Sequence, residues 1–239
     1  MKQLILSLLL LASLTKAQQG ANFYSKGKES ALGSKLASQA QNQFTIVRNP
    51  TVAQYVNRVG RRLTATLADD IAVYTFTVVE DQLGGSTNEP IALPGGPIFI
   101  PANLISESRS ENEFAGMLAH AIAHVAGRHA TRLATRAALD HVEFVPAMYL
   151  NAGLISTGAS RLQEIQRGFE SEADRYAVAM MAAVGYDPEA FADYIARQQR
   201  DDTQAAALPS RDERVQAIRR GIQLVERNDF GLVQRMLKK

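Results

Sequence analysis

Two of the chain's four histidines, His120 and His124, stand one helical turn apart in "MLAHAIAHVAGRH" (residues 117–129). Imidazoles at i and i+4 project from one face of a helix, so both can reach a single metal ion. The spacing is that of a zinc-binding H-E-x-x-H helix, yet Ala121 occupies the place of the glutamate. Zinc in hydrolytic sites takes three protein ligands and keeps a fourth position for water, so a third ligand is expected downstream. The best candidate lies in "RGFESEADRYAVAMM", where Glu170 and Asp174 are again i, i+4 partners. A Glu170 carboxylate would complete a His, His, Glu set. Asp174, one turn on, could accept a hydrogen bond from a ligand histidine and fix its tautomer. Glu172 is expected to point elsewhere.

A bland alternative stands beside this one. Histidine pairs arise on helices by chance, and an E-x-x-x-D segment is normally a solvated helix face. Here, however, the imidazoles sit among Leu118, Ala119, Ile122 and Val125. A buried polar group without a partner costs about 1–3 kcal/mol, and metal ligation supplies that partner. His129 and His141 are not expected to be ligands. His129 lies about 140° around the helix from His124 if the helix continues, in a "GRHATR" cluster that reads as solvent-facing. His141 lies near a helix end, where an imidazolium is favourable.

The elements that must hold these residues follow from the pattern. Ser110 and Glu113 form a capping box that opens the helix of the two histidines. A second helix, from about Arg161, carries Glu170 and Asp174 and stops at Gly185. Upstream, "NPTVAQYVNRVGRRLTATL" is helical, with Val52, Tyr55, Val56, Val59 and Leu63 on one face, Asn49 as cap and Pro50 in the first turn. Residues 73–81, "VYTFTVVED", read as a strand. A second short strand runs from Pro97 to Ile100, and proline at both ends favours a sheet edge. Asp187 and Pro188 restart a helix, and Ser210 with Glu213 caps the last one. The fold class expected is α+β, mostly helical with a small mixed sheet whose edge strand borders the metal site.

The first residues, "MKQLILSLLLLASLTKAQQG", have an early Lys2, an apolar stretch from Leu4 to Leu14 and a small-x-small site at Thr15-Lys16-Ala17. They read as a secretory signal peptide cut after about Ala17, the alternative being an uncleaved anchor. This divides the chain into a signal peptide (1–17), a leader and helix (18–48), and one domain (49–239). No later stretch is long enough to span a bilayer, the apolar run 144–155 included. The formal net charge is only +2, with 26 basic and 24 acidic residues interspersed, which argues against nucleic acid as a partner. Absence of cysteine excludes disulfides and a cysteine nucleophile.

Four segments in order, "NPTVAQYVNRVGRRL", "ALPGGPIFI", "FAGMLAHAIAHVAGRH" and "GFESEADRYAVAMMAAVGYDP", resemble the HtpX-like zinc metallopeptidases of the gluzincin clan. That family includes the CAAX prenyl proteases and smaller periplasmic proteases of envelope quality control. The resemblance implies one zinc ion held by His120, His124 and Glu170, with Asp174 behind them. It also implies that Pro97, Ile98, Phe99 and Ile100 form the edge to which an extended substrate adds as a strand. Unfolded or misassembled envelope proteins are the implied substrates, and the periplasm the implied compartment.

Two departures matter. Ala121 replaces the family's general base, so the resemblance implies a site that holds zinc but turns over poorly. The alternative is a natural pseudoprotease that binds extended segments without cutting them. In "AALPSRDERVQAI", Leu208 stands where the family often has a histidine that approaches the metal, while Pro209 and Arg214 match.

Overall fold

Side-chain caps open four of the described helices, three of them at residues the sequence marks, Asn49, Ser110 and Ser210. The computed structural model describes residues 22–67, 72–80, 88–140, 160–199 and 208–237. The expected signal peptide, His141 and the apolar run 144–155 lie outside these residues. Ser25 Oγ accepts from Lys28 N at the start of α1 (Lys26–Gln43). Asn49 Oδ1 accepts from the N–H groups of Thr51 and Val52 at 3.0 and 3.3 Å, opening α2 (Pro50–Thr64). Strands β1 (Thr75–Val79), β2 (Ile91–Ala92) and β3 (Pro97–Pro101) follow, then a short α3 (Ala102–Glu107). The remaining helices are α4 (Glu111–Ala126), α5 (His129–Leu139), α6 (Ser160–Ala183), α7 (Glu189–Gln198) and α8 (Arg211–Leu237). At α4, Glu113 N donates to Ser110 Oγ at 3.2 Å. At α8 the capping box is reciprocal: Glu213 N donates to Ser210 Oγ at 3.3 Å, and Ser210 N to Glu213 Oε2 at 2.8 Å. The fold is α+β and mostly helical, as expected.

The sheet corrects one expectation. Its order is β1-β3-β2, so the strand of Pro97, Ile98, Phe99 and Ile100 lies in the centre and not at an edge. β3 runs parallel to β1, from Thr75↔Pro97 to Val79↔Pro101, and antiparallel to β2, with Ile91 facing Phe99 and Ala92 facing Ile98. Proline is tolerated there because Pro97 is the strand's first residue, where no ladder donor is needed. Pro101 is its last, and already serves as the residue before α3. The strand reads as a continuous apolar run because both faces are buried. Ile98 and Ile100 join the main core, whereas Phe99 packs with Leu36, Ala40, Val79, Ile91 and Leu93 beneath α1. Among the described residues, β2 is paired only on its β3 side.

Helix α4 occupies the middle of the main core and packs against α2, α6, α7 and β2. Every residue from Glu113 to Ala123 is buried, so α4 shows no polar face. Gly116 allows the close approach of α7: a Cβ there would lie 2.6 Å from the Cβ of Phe191. The helix does not continue through His129. It ends at Ala126, and Arg128 turns the chain into α5 through a left-handed conformation with φ 55° and ψ 34°. Helix α6 ends as its glycine announces, with Gly185 at φ 78° and Tyr186 N donating back to Met181 O at 2.9 Å.

Candidate metal centre

Helices α4 and α6 lie side by side, and their facing turns bring three ligand atoms together. His120 Nε2 and His124 Nε2 are 3.0 Å apart. Glu170 Oε2 lies 3.3 Å from the first and 3.4 Å from the second. His120 is 2% exposed and Glu170 6%. Glu170 Oε2 is buried without a hydrogen bond of normal geometry, an orphaned acceptor facing two imidazole nitrogens. These three residues form the one His/Cys/Asp/Glu group suited to a metal among the described residues. Two imidazoles and one carboxylate, converging and buried, fit the donor preferences of zinc.

The electrostatics point the same way. Burial alone would lower the His120 pKa, but Asp174 and Glu170 outweigh it and raise it to about 9. Burial likewise pushes the Glu170 carboxyl up, while His124 and His120 hold it well below the usual carboxylate range. The pocket therefore favours positive charge, which a divalent cation supplies. Such a cation displaces protons from its ligands on binding.

Asp174 stands behind this group. Its Oδ1 lies 2.8 Å from His120 Nδ1, so the proton of that imidazole is directed to Nδ1 and Nε2 is left free. Asp174 is in turn gripped by Arg214 of α8, which is 1% exposed. Arg214 Nη2 and Nε donate to Asp174 Oδ1 and Oδ2 at 2.8 and 3.0 Å. Burial raises the Asp174 carboxyl, but the Arg214 guanidinium and His120 hold it below its ordinary value. Arg214 Nη1 also donates to Glu89 Oε1 at 2.8 Å and to Gln199 Oε1 at 3.1 Å. Gln199 Nε2 donates to Pro209 O at 2.8 Å. One arginine thus ties the site to the start of β2 and to the turn before α8. Leu208, beside Pro209, offers no ligand atom.

Ala121 is 1% exposed and belongs to the main core. It brings no ionisable group to the site. Glu172 points away from the ligand triad, as expected, with Oε1 and Oε2 at 3.5 and 3.3 Å from Arg132 Nη1. His129 departs from expectation: it is 3% exposed, not solvent-facing. The left-handed turn at Arg128 swings its ring back under α4. His129 Nδ1 lies 3.1 Å from His124 Nδ1, and the ring stacks on Phe169 with centroids 4.6 Å apart and planes 7° apart. Burial lowers its pKa to about 4, against the opposing pull of Glu172.

Sequence reasoning brought His120, His124, Glu170 and Asp174 together, and the structure does so too. It missed Glu89, Gln199 and His129. Nothing in a lone glutamate or glutamine marks a partner 125 residues away, as for Glu89, or 15 away, as for Gln199. For His129, the only signal was its spacing, which misleads unless the helix break is known.

Known proteins align with this same frame. The sequence profile of peptidase family M48 matches residues 50–222. A putative beta-barrel assembly-enhancing protease of Vibrio cholerae serotype O1 is 28% identical over 185 residues, 71% of this chain and 37% of that protein. The beta-barrel assembly-enhancing protease of Yersinia pestis is 28% identical over 184 residues, 70% of this chain and 37% of its own. The chain thus spans about 37% of the length of these curated relatives.

Proposed function

Because the chain belongs to peptidase family M48, we propose that it is an exported zinc metalloendopeptidase of the cell envelope whose site, as written, lacks its general base. The observation that carries this reading is the meeting of His120 Nε2, His124 Nε2 and Glu170 Oε2 within 3.0–3.4 Å of one another. These three residues would hold one zinc ion per chain. Zinc, when bound, supplies Lewis-acid activation of water and of a peptide carbonyl.

The chain's own groups do the remaining work. Asp174, fixed by Arg214, keeps His120 in the tautomer that presents Nε2. The outer edge of β2 (Ile91–Ala92) takes the role expected of the 97–100 strand. It lies beside α4, and an extended substrate pairing there would be held by backbone hydrogen bonds that tolerate many sequences. That mode suits unfolded or misassembled proteins. The relatives' names point to β-barrel assembly, and we carry that process over as the setting. Residues 1–17 direct the chain out of the cytoplasm. Ala121 can neither take a proton from water nor return one to the leaving amine. General acid–base assistance contributes about 10²–10⁴ in rate, so metal binding survives while turnover collapses.

A second reading rests on the same alanine. With all ligands in place and the base gone, the domain is a zinc-bearing pseudoprotease that holds extended segments without cutting them. Metal analysis of the purified chain tests what the two readings share. About one zinc per chain is expected, lost in His120→Ala. A chain that takes up no zinc from a micromolar excess contradicts both.

A further inference from the structure

The two histidine ligands are supported in different ways. His120 has a carboxylate behind it, whereas His124 has a second imidazole, that of His129. We propose that His129 is the positioning residue for His124, orienting the ring and selecting the tautomer that presents Nε2 to the metal. This rests on the reading of the triad as a zinc centre.

The geometry supplies the argument. An imidazole that ligates through Nε2 keeps its proton on Nδ1 and needs an acceptor there. The group facing His124 Nδ1 is His129 Nδ1, at 3.1 Å and edge to face, with the rings 90° apart. His129 must then accept at Nδ1 and carry its own proton on Nε2. That nitrogen is buried without a hydrogen bond of normal geometry, and the carboxylate it faces, Glu172 Oε2, lies 3.7 Å away, an electrostatic neighbour of the Nε2–H. Glu172 is held by Arg132, whose guanidinium also covers the other ring of the stack, 4.5 Å above Phe169.

Local sequence serves the same placement. Gly127 leaves room for the ring: a Cβ there would lie 2.3 Å from His129 Nε2. Arg128 holds a left-handed conformation that is unfavourable for a non-glycine residue. Its guanidinium is anchored by Glu29 Oε2 at 2.5 Å and Tyr24 O at 2.6 Å, which stabilises the turn. A histidine filling the core by chance requires none of these arrangements.

The test measures zinc affinity by chelator competition, the d–d spectrum of the cobalt form, and the melting temperature of the metal-free chain. His129→Phe keeps the stacking surface and removes the acceptor. His129→Asn places an oxygen near the Nδ1 position. Gly127→Ala displaces the ring while leaving His129 in the sequence, and serves if His129→Phe does not fold. Zinc affinity is expected to fall about 10–100-fold in His129→Phe, with an altered cobalt spectrum. Gly127→Ala should move the same way, and His129→Asn should recover most of the loss. Unchanged affinity in His129→Phe or Gly127→Ala, or no recovery in His129→Asn, overturns the assignment and leaves the zinc centre standing. A parent chain that binds no zinc overturns the centre itself.

Discussion

At the scale of single residues, the site is defined by one absence and one buried ion pair. Ala121 brings no ionisable group, while His120, His124 and Glu170 converge beside it and Asp174 stands 2.8 Å from His120 Nδ1. Arg214 and Asp174 form a fully buried pair, and such pairs are strongly destabilising to break because one charge is left uncompensated. Arg214→Met is therefore expected to lower unfolding free energy by about 3–5 kcal/mol, read from a denaturant titration of the metal-free chain. A loss below about 1 kcal/mol, in the range of exposed pairs, would show that the pair is not buried in solution. Residue types and helical spacing made His120, His124, Glu170 and Asp174 legible. His129 was not, because its position depends on the φ of Arg128, and arginine carries no mark of a left-handed turn.

At the scale of elements, α4 is the part that must be placed accurately, and its start is heavily fastened. Arg197 Nη1 and Nη2 donate to the two oxygens of Glu113, each at 2.7 Å, and Arg109 N donates to Oε2 at 2.7 Å. Burial alone would raise the Glu113 carboxyl; Arg197 and the Arg109 N–H outweigh it and hold it below the ordinary range. Because the folded value is depressed, this stabilisation is fully present above the unfolded pKa of about 4.3. It is lost as pH falls through the folded value. The parent chain should thus lose more stability than Glu113→Gln between about pH 6 and pH 3, as followed by denaturant midpoints. Parallel pH profiles would contradict the assignment. Gly116→Ala should destabilise by about 1–3 kcal/mol through overpacking against Phe191. The starts of α2, α4 and α8 were readable from capping chemistry. The order of the strands was not, because a two-residue strand such as β2 has no periodicity, and without it β3 looks like an edge.

At the scale of the whole molecule, one ion would join α4 to α6 and, through Asp174 and Arg214, to α8. Zinc should accordingly raise the melting temperature of the parent, by the equivalent of about 4 kcal/mol at a thousandfold excess over Kd. It should leave that of His124→Ala unmoved. Equal shifts in both would place the metal elsewhere. The general plan was legible because motifs in order along the chain correspond to helices that pack in order around α4. The role of the turn before α8 was not, since Gln199 and Pro209 meet only after the chain folds back. The most direct test of the central claim compares initial rates of cleavage of an unfolded protein by the parent chain and by Ala121→Glu, each carrying one zinc. A rate at least about 100-fold higher in Ala121→Glu is predicted. Equal rates in the two zinc-loaded proteins would contradict it.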